Sequence, residues 1–208
     1  MRSNASGHDG SVRLAGQFAP ITGALIGLLG GSLYWLAVQV WPASVAVILA
    51  VTATALLTDR VSRLPAARYW VLWRVMLVLV KYNTLMALSA AKLPFAAPAD
   101  TSLGLIMVCG YACSFALLVS VMAYRPQKSA PKIGSVALAT ALGIGFAPAA
   151  LLGIPGLIGV SAAILAGIGI IAFLRFKRAD GAADALDMTQ MSTEACFYLG
   201  ALATWKYV

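Results

Sequence analysis

Long apolar runs alternate along this chain with short polar ones, and the apolar runs are about as long as a membrane is thick. A helix needs about 20 apolar residues to cross the hydrocarbon, with a range of about 17 to 25. Runs of that kind fall at 18–41, 43–58, 69–90, 103–124, 133–152, 155–173 and 193–208. In lipid each helix satisfies its own backbone groups, whereas an open sheet would leave its edges unpaired. The pattern therefore predicts an all-α, polytopic membrane bundle of about seven transmembrane helices and no β-sheet. Residues 1–17 are expected to form an amino-terminal tail, and 18–208 a single helical domain. The runs 43–58 and 193–208 are short, and little but Gly153 separates the fifth run from the sixth, so counts of six and eight also fit.

Composition agrees with the pattern. Hydrophobic residues make up 61% of the chain and charged residues 11%, with a mean hydropathy of +0.88, well outside the range of soluble domains. The first run carries Trp35 and Trp41 near its far end and continues into more apolar sequence without a cleavage site, which reads as a retained span and not a signal peptide. Cys109, Cys113 and Cys196 all lie in apolar context, where free cysteine behaves as a small hydrophobe. Cys109 and Cys113 share a helix face, but two thiols without further ligands make a poor metal site. Glycines recur within the runs, as in GALIGLLGG at 23–31, at spacings that let helices approach closely in lipid.

Charge gives the predicted topology. Arg2, Arg13, Arg60, Arg63, Arg68, Arg125, Lys128, Lys132, Arg175, Lys177 and Arg178 would fall on one side of the membrane, and only Lys92 and Lys206 on the other. Basic residues gather in cytoplasmic loops, so the amino terminus is expected in the cytoplasm and the carboxy terminus on the far side. The formal charge of +8 needs no further cause, although a basic face also attracts anionic headgroups or a phosphorylated substrate. Membrane lipids are the expected surroundings, and no nucleic-acid partner is expected. Arg74 and Lys81 are different, because they lie inside the third run. Seven residues apart, they share one face, and either stabilise the bundle or line a cavity.

Four stretches together resemble the cobalamin synthase family, the adenosylcobinamide-GDP ribazoletransferases. GSVRLAGQFAPITGALIGLLGGSLYWLA at 10–37 is similar to the family's opening, with Pro20 and Gly23 in place. SRLPAARYWVLWRVMLVLVKYNTLMALSA, from Ser62, resembles its Ser-Arg-Ile-Gly segment and third helix. GYACSFALLVSVMAYRP at 110–126 resembles the next helix, and GAADALDMTQMSTEACFYLGALA at 181–203 the carboxy-terminal signature, a Thr-Gly-Asp loop followed by Gln-bearing and Thr-Glu-bearing helix starts.

The resemblance implies a bacterial inner-membrane transferase that joins adenosylcobinamide, delivered as its GDP derivative, to α-ribazole or its phosphate, with release of GMP and a need for Mg2+. On the matching positions it implies catalytic roles for Asp184 and Glu194, magnesium at Asp184, and substrate contacts from Ser62, Arg63, Ser114 and Gln190. The family also carries an acidic segment after its second helix, patterned Leu-Asp-Gly-Leu-Ala-Asp with a further Asp beyond. This chain has only Asp59, Arg60 and Val61 between Thr58 and Ser62. Cleaving a diphosphate linkage to release GMP needs magnesium held through carboxylates, so the loss bears directly on activity. The family's His and Arg fall at Tyr111 and Phe115, its Thr-Gly-Asp reads Ala182, Ala183, Asp184, and the one histidine is His8 in the amino-terminal tail.

Two other roles compete with the enzyme: a catalytically inactive relative that packs against an active synthase or forms a homo-oligomer, and a small transporter. The surviving polar residues also have structural readings. Asp180, Asp184 and Asp187 precede an apolar run, where carboxylates favour a helix amino terminus, and Ser192 or Thr193 would cap a last helix with Glu194 in its first turn.

Overall fold

A computed structural model describes the backbone at 5–62, 70–90, 99–124, 133–177 and 182–205, with side chains at 18–58, 72–90, 102–124, 133–173 and 186–204. Among the described residues the chain is all-α, with seven helices and no strand: α1 (Ala5–Val38), α2 (Ala43–Ser62), α3 (Trp70–Ala90), α4 (Ala99–Tyr124), α5 (Ser135–Ala150), α6 (Ile154–Lys177) and α7 (Ala182–Trp205).

Two boundaries depart from the sequence pattern. Helix α1 begins at Ala5, which puts His8 on helical backbone and not in a loose tail. Helix α7 begins at Ala182, so Asp184, Asp187 and Gln190 lie inside it. The capping reading of Ser192, Thr193 and Glu194 is thereby overturned. Thr193 is a buried mid-helix residue whose hydroxyl donates back to the Thr189 carbonyl at 2.7 Å, a local bond that lets threonine sit inside a helix.

Helix α4 is the centre of the bundle. It packs against α1, α5, α6 and α7, and more weakly against α3. The α1–α4 contact follows a glycine stripe. A Cβ at Gly23 would come 2.5 Å from the Tyr111 carbonyl oxygen, one at Gly27 would come 2.7 Å from that of Met107, and one at Gly31 would come 2.6 Å from the Gly104 Cα. Numbers rise on one helix as they fall on the other, so the two run antiparallel with their backbones in contact. Helix α6 meets α7 in the same way, through Gly159 against Phe197 and Gly200 against the Ile158 carbonyl. Between α5 and α6 the chain reverses at Gly153, whose φ of 65° lies in the left-handed region that glycine adopts without strain.

Among the described residues, four segments are long and apolar enough to cross a membrane: Phe18–Val38, Leu72–Ala90, Ser102–Tyr124 and Ile154–Phe173; Ala43–Thr58 and Ser135–Ala150 are shorter apolar helices. The bundle turns large apolar side chains outward all around, among them Leu25, Leu29, Ile48, Leu79, Leu157 and Leu165. Water penalises such a surface, whereas hydrocarbon does not, and the distribution is compatible with a multi-pass membrane protein.

Candidate functional site

The inward face of α7 carries Asp187, Gln190, Met191 and Glu194 within two turns, and the facing side of α3 carries Arg74, Val78 and Lys81. Both sets follow the helical spacing of three, four and seven that brings side chains onto one face. With Val51, Thr52, Ala55, Leu56 and Thr58 of α2 and Tyr111 of α4, they enclose a cavity of about 300 Å³.

Two ion pairs cross from α3 to α7. The Arg74 guanidinium donates from Nε to Asp187 Oδ2 at 2.8 Å and from its terminal nitrogen to Oδ1 at 3.2 Å, a two-pronged contact. Lys81 Nζ lies 2.6 Å from Glu194 Oε1. Since 81 − 74 and 194 − 187 both equal 7, the helices run parallel and in register. The outer pair is partly open, with side-chain exposures of 28% and 15%. The inner pair is closed, with Lys81 at 6% and Glu194 at 2% exposed.

Burying an ion pair carries a desolvation penalty that is offset only when the remaining valences are also met. Here tyrosines meet them. The Lys81 ammonium also hydrogen-bonds the Tyr111 hydroxyl, and the Tyr198 hydroxyl donates to Glu194 Oε1 at 2.9 Å. Tyr198 is held edge-on against Phe197, with ring centroids 5.9 Å apart. The Gly110 backbone lies directly under the Tyr198 ring, where any Cβ would come 2.5 Å from a ring carbon. Glycine at that position is what lets the ring lie against α4.

The residues implied by the resemblance separate into three groups. Gln190 and Glu194 line the cavity. Ser114 is fully buried outside its lining, with its hydroxyl donating to the Tyr111 carbonyl of its own helix at 3.0 Å. Arg63 and the side chains of Ser62 and Asp184 lie outside the described residues. Sequence reasoning missed Tyr198, and it noted Tyr111 only as a replacement. The signal was available, because tyrosine in a span ordinarily sits at the membrane interface and not near its middle.

These residues fit magnesium poorly. Asp184 and Glu194 lie on one unbroken helix, and 194 − 184 = 10 residues at about 1.5 Å each separates them by roughly 15 Å along its axis. Magnesium wants ligands at about 2.0–2.1 Å, so the two cannot share an ion. Glu194 and Asp187 each already hold a cationic side chain. Among the described residues no group of three or more His, Cys, Asp or Glu converges. Among the described residues, two cations and two anions face one cavity and neutralise each other. Compared with protein-family models, curated proteins and solved structures, the chain finds no match.

Proposed function

We propose that the chain is a multi-pass protein of the bacterial inner membrane, similar to cobalamin synthase in its helices but not a transferase on its own, and that it acts as a structural partner of an active synthase. The observation that carries this reading is the occupation of Glu194. This residue matches the carboxylate of the family's Thr-Glu signature, yet a buried lysine lies 2.6 Å from it. A carboxylate neutralised in this way has little charge left for a metal or for an activated phosphate. The missing acidic segment after α2 argues in the same direction. The amino terminus lies in the cytoplasm in this reading, supported by the eleven-to-two division of basic residues.

The test supplies the purified chain with adenosylcobinamide-GDP, α-ribazole and Mg2+ and measures GMP release. None is expected above background. A co-purification arm adds an active cobalamin synthase in lipid nanodiscs and expects the two chains to stay together through washing. GMP release by the chain alone, abolished by Glu194→Gln, would establish a working transferase and overturn the reading.

A further inference from the structure

The cavity between α2, α3 and α7 has a feature that the ion pairs do not explain. Gln190 lines it and is only 4% exposed, yet its carboxamide hydrogen-bonds to no described residue. Among the described residues only the Ser192 hydroxyl is both fully buried and unpartnered, so the Gln190 amide is not sealed off but faces the open volume, a place where something else supplies the bonds. Across the cavity on α2, Thr52 and Leu56 stand exposed at the outer rim. The walls between are mostly apolar, formed by Val51, Ala55, Val78 and Met191.

The charges decide what fits. Among the described residues of the lining, Arg74 and Lys81 face Asp187 and Glu194, so that part of the wall carries no net charge. A charged ligand would bring an uncompensated charge into a poorly hydrated place. A neutral one brings none. The volume of about 300 Å³ lies at the small end of ligand sites, which are typically apolar with a few placed polar groups.

We propose that this cavity is a binding site for a small, electrically neutral molecule with an apolar body and a carboxamide-type head, whose adjacent donor and acceptor pair with the free amide of Gln190. The ligand enters sideways past Thr52 and Leu56, with its apolar end against the α2 and α3 walls. The site does not depend on the cobalamin synthase reading, since its evidence is the unengaged amide and the balanced lining.

The test places the full chain in phosphatidylcholine nanodiscs and follows three probes of similar size by fluorine NMR: 4-fluorobenzamide, 4-fluorobenzoate and 4-fluorotoluene. The expected result is saturable broadening of the benzamide signal, reversed by excess unlabelled benzamide, with the other two at least about tenfold weaker. Gln190→Leu should weaken benzamide about tenfold, the equivalent of one hydrogen bond. Ala55→Phe, which fills the cavity from α2, should abolish its binding, with folding of both variants checked by circular dichroism. Unsaturable partitioning, benzoate binding equal to benzamide, or unchanged affinity in a folded variant would each overturn the proposal. If neither variant folds, the ranking of the three probes on the wild-type chain decides alone.

Discussion

Removing one member of the Lys81–Glu194 pair leaves the other as an uncompensated charge at a nearly fully buried position. Lys81→Met is therefore expected to destabilise the bundle by about 3 kcal/mol or more, measured by thermal or denaturant unfolding in bicelles. The double variant Lys81→Met with Glu194→Gln should recover at least half of that loss, because no stranded charge remains. Equal losses in the single and double variants would show that packing, not charge, sets the stability there. The outer pair is more exposed, at 28% and 15%, so Arg74→Gln should cost only about 1 kcal/mol or less. Much of this was legible in advance. Two cations seven residues apart inside an apolar run can only share a face, and that face had to find anions or water. Their partners were harder to see, because Asp187 lies 113 residues from Arg74 in sequence and nothing local connects them. The tyrosines that complete the cluster carry no charge, and only their place in mid-span, away from the interface, sets them apart from ordinary core aromatics.

At the scale of the helix, glycine has opposite values at different positions. A methyl group at Gly27 would lie 2.7 Å from the Met107 carbonyl, whereas at Gly169 it meets nothing within 4 Å. Gly27→Ala should destabilise by about 1–3 kcal/mol through forced separation of α1 from α4. Gly169→Ala should be neutral or stabilising by up to about 1 kcal/mol, the helix propensity difference. Unfolding of the two variants side by side checks both, and a neutral Gly27→Ala would mean that the α1–α4 contact yields more easily than its geometry indicates. The GALIGLLGG repeat already pointed to close helix contact, and the partner it finds lies within this chain. The start of α7 was misjudged for a physical reason: carboxylates at 184 and 187 look like loop residues in a membrane sequence until Asp187 is seen holding Arg74. The early start of α1 had no apolar signal to announce it, since its first turns hold serine, glycine, histidine and charged residues.

For the whole molecule, the packed helices do not all alternate in direction: α1 runs antiparallel to α4 and α6 to α7, whereas α3 runs parallel to α7. This order gathers the amino ends of α1, α3 and α7 with the carboxy ends of α4 and α6. Added to the basic bias, it predicts that a cysteine introduced at Lys128 is labelled by an impermeant thiol reagent only from the cytoplasmic side, whereas one at Pro42, between α1 and α2, is labelled from outside. Labelling of both from one side would mean that the helices do not traverse the bilayer. The parallel pairing of α3 with α7 also has a consequence in time. Ribosomes add about 5–20 residues per second, so the 194 − 81 = 113 residues from Lys81 to Glu194 take roughly 6–23 s to make. Throughout that interval the third helix carries Lys81 without Glu194, the carboxylate that neutralises it in the folded bundle, and a helix with such a charge is poorly held by hydrocarbon. A nascent chain halted before Ala182 should therefore leave α3 at the membrane surface, open to protease from the cytoplasm, and release past Trp205 should protect it. Insertion of the third helix is, on this account, completed by the seventh, and a shortened chain fails first at a helix that is itself intact.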